Sequence, residues 1–395
     1  MHFQSKLPHI GTTIFTVMSS LARELGAINL AQGFPDYDPP ERLKELVNQH
    51  VAAGHNQYAH MAGVIELRQA IAAKLERSYA RRIDPENEVT ITLGATEAIF
   101  SAISGLVHPG DEVILLDPSY DSYAPAVILA GGKPIHIPML PGESPSAARA
   151  GAGHRAHFRI DWQRVKEAVS PRLRMIMINT PHNPTGSIIK PEELDALADI
   201  LEPTNAFVLA DEVYEHMVYD GERHASIVGH DRLFERGIAV FSFGKSMHAT
   251  GWRVGYAIAR PDITREIRRV HQFNTFSIAA PLQHAIADFL NEAPEHNDEL
   301  HTFYERKRDL FLAALEGSRF TWTPSEGTYF QLLDFSAISQ QTDVEFADRL
   351  IHDVKVASIP VSVFYFEPPR LSVVRFCFAK NDSTLEQAAE RLRRM

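Results

Sequence analysis

The fold is indicated most clearly by residues 88–116, which read EVTITLGATEAIFSAISGLVHPGDEVILL. Two short apolar and β-branched runs, Glu88–Thr92 and Glu112–Leu116, read as strands, and Thr96–Val107 between them has the length and pattern of an amphipathic helix. The alternation continues, with predicted helices at Tyr120–Ala130 and Pro191–Leu201 and predicted strands at Lys133–Pro138, Arg174–Asn179, Ala206–Ala210, Ile238–Ser242 and Val254–Ala259. Because these strand runs are almost continuously apolar, as in strands covered by helices on both faces, the sequence predicts an α/β fold with a mostly parallel sheet.

A second, smaller α/β domain is predicted beyond this sheet. The predicted helices are Asp262–His271, Pro281–Leu290, Asn297–Leu315 and Leu385–Arg394, and the predicted strands are Tyr329–Asp334 and Val374–Phe378. We expect a large domain over residues 46–285, a small C-terminal domain over 286–395, and an N-terminal arm over 1–45 that forms part of the small domain. Residues 141–155, PGESPSAARAGAGHR, predict a flexible surface loop because Gly, Pro, Ser and Ala dominate them.

Composition excludes several classes of protein. The 395 residues carry 39 Lys+Arg and 50 Asp+Glu, a net charge of −11, which disfavours nucleic acid as the main partner. No apolar run is long enough to span a membrane, and the N-terminus lacks the apolar core of a signal peptide, so we expect a cytoplasmic protein. The single cysteine, Cys377, cannot form an intrachain disulfide. The 19 histidines show no H-E-x-x-H spacing, so no catalytic metal is predicted.

The segment FSFGKSMHATGWRVGY, residues 241–256, holds the first candidate site. Lys245 follows a predicted buried strand, where burial and nearby cations lower the pKa of an amine and suit it to form a Schiff base. Ser242 and Arg253 could hold a phosphate beside it, one through its hydroxyl and the other through its charged fork. A solvated surface lysine is the commoner outcome for an isolated S-x-x-K, and that alternative stays open here.

Two further strand ends carry polar side chains. Asp211 ends the apolar run of AFVLADEVY, where it could pair with a protonated pyridine nitrogen, and Tyr214 follows close enough to donate to a phenolic oxygen. A carboxylate that caps a following helix is the alternative. Asn183 lies in NTPHNPTG, whose prolines and glycine would orient its amide, although a plain proline-rich connection is equally compatible.

The remaining candidates are an anion site, an aromatic ring and an arginine. Ala95 and Thr96 open a helix after Gly94, and a helix N-terminus binds anions. Tyr120, after another strand, could stack on a planar ring or simply pack. Arg375 lies in the apolar run VVRFCF and needs an anionic partner, which would be either a substrate carboxylate or a structural salt bridge.

The order of these motifs resembles the fold-type I, pyridoxal 5′-phosphate (PLP)-dependent aminotransferases of class I/II. GAT, DPSYDSY, NTPHNPTG, DEVY, SFGKSMHATGWRVGY and VRFCFAK follow one another over residues 94–380. The segments KLPHIGTTIFTVMSSLA, NLAQGFPDYDPP and NQYAHMAGVIELRQAI are similar to the branch that holds bacterial methionine aminotransferases and the kynurenine and glutamine transaminases. The resemblance covers the chain apart from residues 141–157, which look like an insertion, and implies a large PLP-binding domain with a central sheet between helices.

The resemblance also implies a role for each candidate. Lys245 would bind the cofactor covalently and move the substrate proton, Asp211 would keep the pyridine nitrogen protonated, and Asn183 and Tyr214 would bond the ring oxygen. Tyr120 would stack on the ring, and Ala95, Thr96, Ser242 and Arg253 would hold the phosphate. Tyr58 would reach the phosphate of the other subunit, which implies a homodimer with shared active sites. Arg375 would hold the substrate carboxylate in a pocket that Asn183 and the Gly33 backbone also line, while Ile14, Phe15 and Phe276, the last from the partner, would surround the side chain.

The expected reaction is transamination between an apolar or aromatic L-amino acid, methionine first, and a 2-oxo acid. No second arginine matches the pocket positions, and methionine sulfur makes favourable contacts with aromatic edges. The alternatives are a PLP-dependent cysteine-S-conjugate β-lyase, which the motifs barely distinguish, and a non-enzymatic ligand sensor. A sensor of this fold would be expected to carry a DNA-binding segment, and the acidic chain shows none.

Overall fold

The computed structural model describes residues 4–141 and 157–395. Its strands, in chain order, are β1 Ile28–Asn29, β2 Val89–Thr92, β3 Glu112–Asp117, β4 Lys133–Pro138, β5 Leu140–Pro141, β6 Phe158–Arg159, β7 Leu173–Asn179, β8 Phe207–Asp211, β9 Gly237–Ser242, β10 Gly255–Ala259, β11 Phe330–Asp334, β12 Val356–Ala357, β13 Ile359–Pro360 and β14 Val373–Cys377. Its α-helices are α1 Ile14–Leu25, α2 Glu41–Ala52, α3 Ile65–Tyr79, α4 Gly94–Leu106, α5 Tyr123–Leu129, α6 Trp162–Glu167, α7 Pro191–Leu201, α8 Asp231–Phe234, α9 Phe243–Ser246, α10 Pro261–Asn274, α11 Ala280–Glu292, α12 His296–Ala314, α13 Asp343–Asp353 and α14 Asp382–Leu392.

The large sheet has seven strands in the order β2–β10–β9–β8–β7–β3–β4. Strand β10 is antiparallel to both of its neighbours, and the other pairs are parallel. The predicted α/β fold with a mostly parallel sheet is therefore confirmed. The predicted strand Ala206–Ala210 is shifted by one residue, so that Asp211 is the last residue of β8 and pairs with Asn179 of β7.

Helices cover both faces of this sheet, and β3 shows why. Val113 and Leu115 point into an apolar cluster with residues of α4 and α10, whereas Ile114 and Leu116 point into the opposite cluster with residues of α3 and α7. All four side chains are buried, and each contributes about 1.5–3 kcal/mol on leaving water. Two-sided burial accounts for the continuous apolar runs that the sequence shows.

The second core lies around the antiparallel sheet β11–β14–β13. Met18 and Ala22 of α1 share its apolar cluster with Leu350 of α13 and Phe376 of β14, and β1 pairs in parallel with β12. Helix α13 begins with a reciprocal capping box between Thr342 and Glu345, as its sequence favours.

The predicted surface loop is described only at its edges. Pro141, where that prediction begins, lies in β5 and pairs antiparallel with β6, and residues 142–156 lie outside the described residues. In the described ranges, no helix combines the length and the apolar character needed to cross a membrane.

Candidate active site

One edge of the large sheet gathers the polar strand ends. The parallel strands β3, β7, β8 and β9 all finish at this edge, and β10, which runs the other way, begins there. Gly255 is opposite both Ser242 and Thr92, and Asn179 is opposite Asp211. The loops after these strands therefore meet, as they do at the ligand-binding edge of open α/β sheets.

A cavity of about 120 Å³, the sheet-edge cavity, lies between these loops. The predicted site residues that line it are Ala95, Thr96, Tyr120, Asn183, Asp211, Tyr214, Ser242, Lys245 and Arg253. Ile99, Asn179 and Val213 complete its lining. The structure thus brings together every predicted cofactor-binding residue except Tyr58.

Lys245 lies in α9, directly after the end of β9, and its amine lies at the cavity. Nζ donates to the Tyr329 hydroxyl at 2.9 Å and to the Gly33 carbonyl at 3.2 Å, and the same hydroxyl donates to Gly33 at 2.5 Å. Burial lowers the pKa of the Lys245 amine to about 8, and the Arg253 guanidinium adds to that effect. The alternative of a solvated surface lysine is therefore wrong.

Asp211 lies deep in the same cavity and is 6% exposed. Its Oδ2 accepts from the Tyr123 hydroxyl at 2.5 Å, and burial raises the pKa of its carboxyl to about 6 in spite of that donor. Residues 213–216, which follow, form a turn and not a helix, so the capping alternative is also wrong. A cation in the cavity would compensate the burial of this carboxylate.

The opposite wall of the cavity is electropositive. Helix α4 begins at Gly94, whose φ is +71°, and a Cβ added there would lie 2.7 Å from Arg253 Nη2. A Cβ on Gly255 would lie 2.9 Å from the Ala95 nitrogen. The two glycines therefore let the Arg253 guanidinium and the first amides of α4 come together, beside the Ser242 hydroxyl. Such a set of donors suits a phosphate.

Arg375 is fully buried on β14. Nη1 donates to Asn183 Oδ1 at 2.7 Å and Nη2 donates to the Ala31 carbonyl at 2.8 Å, while Nε has no hydrogen-bond partner. The guanidinium lies over the Phe330 ring, 3.9 Å from its centroid, and burial lowers its pKa to about 10. No carboxylate in the described part of the chain forms an ion pair with it, so the salt-bridge alternative finds no support.

The predicted side-chain pocket is only partly assembled in one chain. The Phe15 ring centroid is 5.2 Å from the Arg375 guanidinium and 5.6 Å from the Phe364 ring, and Ile14 packs at the edge of the second core. Tyr58 and Phe276 do not line the cavity. They are 85% and 45% exposed and contact each other edge to face at 5.3 Å.

Two tyrosines were missed by sequence reasoning. Tyr123, which donates to Asp211, is the last residue of DPSYDSY, and Tyr329, which holds Lys245, lies in SEGTYF. The side chain of Asn179 links two of these residues. Its Nδ2 donates a hydrogen bond to the Asp211 carbonyl at 2.7 Å, and its Oδ1 accepts one from the Asn183 backbone amide at 2.8 Å. Proximity of the tyrosines to known motifs was the available signal, but neither pairing follows from spacing.

Comparisons with known proteins show the family of the chain. The family model "Aminotransferase class I and II" matches residues 26–392. The chain is 49% identical over 392 residues to the methionine aminotransferase of Escherichia coli strain K12, covering 99% of this chain and 98% of that protein. A solved Escherichia coli structure described as having a methionine aminotransferase function superposes with a TM-score of 0.95 over 100% of both chains, at 49% identity. The structure of N-succinyldiaminopimelate aminotransferase from Mycobacterium tuberculosis gives 0.92 at 39% identity, covering 99% of each chain.

The residues present fit the cofactor of that family. The amine of Lys245, the buried carboxyl of Asp211 and the electropositive wall at the start of α4 match the aldehyde, the pyridine nitrogen and the phosphate of pyridoxal 5′-phosphate in chemical character. The lysine amine has a lowered pKa, and the buried Arg375 has no carboxylate partner among the described residues. On these grounds, and on a family match that spans most of its length, the chain belongs to the class I and II aminotransferases, which act with pyridoxal 5′-phosphate.

Proposed function

We propose that this aminotransferase takes the amino group of an apolar or aromatic L-amino acid, with methionine preferred, and passes it to a 2-oxo acid. The observation that carries the proposal is Arg375, which is buried, pairs with no carboxylate of the residues that the structure describes, and lies among the rings of Phe15, Phe330 and Phe364. A guanidinium suits the carboxylate of an amino acid, and aromatic walls suit an apolar side chain. The similarity to the Escherichia coli methionine aminotransferase supports the same donor.

The residues of the chain divide the work of this reaction. When bound, pyridoxal 5′-phosphate supplies an electron sink that makes the Cα proton of the amino acid removable. Arg375 binds the substrate carboxylate. Its Nη1 also donates a hydrogen bond to Oδ1 of Asn183, which lines the sheet-edge cavity. The Lys245 amine, with its pKa lowered to about 8, can hold or release a proton near neutral pH and so serves as the acid–base group at Cα. Tyr329 and the Gly33 carbonyl hold that amine in place.

The active site is proposed to be completed by a second copy of the chain. Tyr58 and Phe273 are each 85% exposed, Phe276 is 45% exposed, and Tyr58 contacts Phe276. A cluster of exposed aromatic rings is typical of an interface. This supports a homodimer in which Tyr58 reaches the phosphate of the partner's cofactor and Phe276 lines the partner's substrate pocket.

The roles of the site residues, the domain division at residues 45 and 285 and a cytoplasmic location are part of the same proposal. No contact in the described part of the cavity favours β-elimination of a cysteine S-conjugate over transamination, so transamination is proposed alone.

The test is the visible absorption spectrum of the purified enzyme with bound cofactor. L-Methionine without a 2-oxo acid should convert the cofactor to its amine form, so that the visible band falls and the near-ultraviolet band rises, with one equivalent of the corresponding 2-oxo acid formed. L-Aspartate is the matched control, since its side-chain carboxylate would meet the rings around Arg375, and it should react much more slowly. Rapid conversion by aspartate and none by methionine would overturn the proposed donor.

A further inference from the structure

Three histidines from distant parts of the chain meet outside the sheet-edge cavity. His50 lies in the last turn of α2, His55 follows that helix by three residues, and His284 lies in the second turn of α11. One ring nitrogen from each lies within 4.8 Å of the others, and all three side chains are partly buried. Their separation in sequence explains why no motif revealed them. We call these three residues the histidine cluster.

Asp288 orients one member of the cluster. His50 Nε2 is 2.8 Å from Asp288 Oδ2, and His50 Nδ1 is 2.9 Å from His55 Nδ1. Because a carboxylate accepts hydrogen bonds, the proton of His50 is on Nε2, and its Nδ1 presents a lone pair to the cluster. A carboxylate bonded to the far nitrogen of an imidazole is the arrangement that fixes the tautomer and the direction of metal-binding histidines.

The His284 ring completes the cluster. The His55 and His284 ring centroids are 4.2 Å apart, and those of His50 and His284 are 5.3 Å apart. The described residues supply no hydrogen bond to the His284 side chain, which leaves both of its nitrogens open to a ligand.

The elements that carry the cluster are held together independently of it. Arg42 of α2 forms a bidentate ion pair with Glu292 of α11, with distances of 2.8 and 2.9 Å. His284 and Asp288 lie four residues apart, on one face of α11, which packs along α2. The two helices that carry the site are therefore held together by contacts of their own.

We propose that the histidine cluster binds a divalent transition-metal ion, with Zn²⁺ as the best fit, and that Asp288 positions His50 for this purpose. Imidazole nitrogen is a preferred ligand of Zn²⁺, Cu²⁺ and Ni²⁺, whereas Mg²⁺ and Ca²⁺ select oxygen. None of the three histidines lines the sheet-edge cavity, so the ion would be structural. It would join α2, α11 and the segment between His55 and Tyr58, and so stiffen the part of the chain that carries the exposed aromatic cluster.

The experiment is a Zn²⁺ titration of the full-length enzyme with its cofactor bound, without an affinity tag and after removal of metals by a chelator. Calorimetry should show one site per chain with micromolar or tighter affinity, and Zn²⁺ should raise the Tm while Mg²⁺ should not. H284Q should weaken binding by at least tenfold. H352Q is the matched control, because His352 is an exposed helical histidine beside Asp348, and it should bind like the wild type.

A second variant keeps the test decisive if H284Q folds poorly. D288N retains the shape of the side chain but removes the carboxylate from His50, and it should weaken Zn²⁺ binding by about 10–100-fold. Circular dichroism and the cofactor spectrum establish that each variant is folded. Absence of a stoichiometric site in the wild-type enzyme, or equal affinity in the wild type, H284Q and D288N, would overturn the proposal and leave the cluster as a hydrogen-bonded network.

Discussion

The protein buries its charged side chains in two different ways. Lys74 and Arg308 lie away from the sheet-edge cavity, and each meets carboxylates: Lys74 contacts Glu215, and Arg308 contacts Asp220 at 2.7 and 2.9 Å. Lys245 and Arg375, at the cavity, meet no carboxylate of the described residues within ion-pair distance and bond only to neutral oxygens. A buried charge without its counter-ion costs several kcal/mol unless a ligand supplies one.

The carboxylates show the same contrast. Burial would raise the pKa of Glu215, but the charges of Lys74 and His216 and the hydrogen bonds from Lys74 and Tyr79 together outweigh it and lower that pKa to about 2. In Asp211, burial prevails and raises the pKa to about 6. Glu215 forms an ion pair with Lys74, whereas Asp211 forms none with the described residues. Buried charges with a counter-ion therefore stabilise the fold. Buried charges without a counter-ion among the described residues are available to bind a ligand.

The largest effect is expected for Lys245→Ala. Removal of the amine takes away the acid–base group at the substrate Cα, so the turnover of L-methionine should fall by about 10³-fold or more. The free energy of unfolding of the cofactor-free protein should stay the same or rise, because an unpaired buried amine is lost. Steady-state kinetics and urea denaturation measure the two quantities. Substantial turnover by this variant would remove Lys245 from its role.

Lys74→Met should show the opposite pattern. This substitution keeps the volume of the side chain but leaves Glu215 buried without a counter-ion, so the free energy of unfolding should fall by about 3–5 kcal/mol. The kcat/KM of the folded fraction should remain near that of the wild type. Urea denaturation and active-site titration with the cofactor separate the two. A stable variant with impaired catalysis would break the division between paired and unpaired charges.

Arg375→Ala should lose substrate binding with little change in stability. Loss of the charged fork should weaken the binding of L-methionine by about 2–5 kcal/mol, seen as a higher KM or a lower kcat/KM. Arg308→Ala is the matched control, since that arginine is 3% exposed and paired, and it should lose stability with an unchanged KM. Unchanged KM and kcat in Arg375→Ala would show that Arg375 does not bind the substrate carboxylate.

The pH dependence of stability should distinguish Asp211. Its pKa rises from 3.8 to about 6 in the folded, cofactor-free protein, so the folded state holds the proton more tightly than the unfolded state between these values. The free energy of unfolding should therefore fall as the pH rises from 4 to 7, by about 2 kcal/mol from this group. In Asp211→Asn, which has no carboxyl group to ionise at this position, the free energy of unfolding should fall by that much less over the same pH range. Identical pH profiles for the variant and the wild type would show that Asp211 is compensated within the fold.

The strand ends could be predicted from sequence because a parallel sheet brings them to one edge. Asp211 and Lys245 were found at or shortly after the end of an apolar run, and the order of the motifs then favoured a functional role for both. No helix was predicted before Glu88, although α1, α2 and α3 lie there. In α3, Arg68 and Lys74 are buried by partners elsewhere in the chain, which blurs the amphipathic pattern that a helix prediction uses.

Contacts between segments that lie far apart in the chain could not be predicted from the sequence. The Tyr329 hydroxyl meets Lys245 and Gly33, and these residues come from three separate stretches that only the folded chain brings together. The histidine cluster has the same origin, since α2 and α11 lie far apart in sequence. Side-chain type predicts what a residue can do, but its partner depends on tertiary packing.

Tyr329→Phe should give the smallest of these effects. The ring still packs against Tyr214, but the Lys245 amine loses its 2.9 Å hydrogen bond and keeps only the Gly33 carbonyl. Because a neutral hydrogen bond is worth about 0.5–1.5 kcal/mol, kcat should fall by about threefold to tenfold, with little change in KM. A role in positioning the amine also predicts a displaced acidic limb in the pH profile of kcat, whereas a purely structural tyrosine would change stability alone. The Tyr329 hydroxyl helps to hold the Lys245 amine, which has no counter-ion among the described residues. Loss of the hydroxyl should therefore lower kcat more than it lowers the free energy of unfolding.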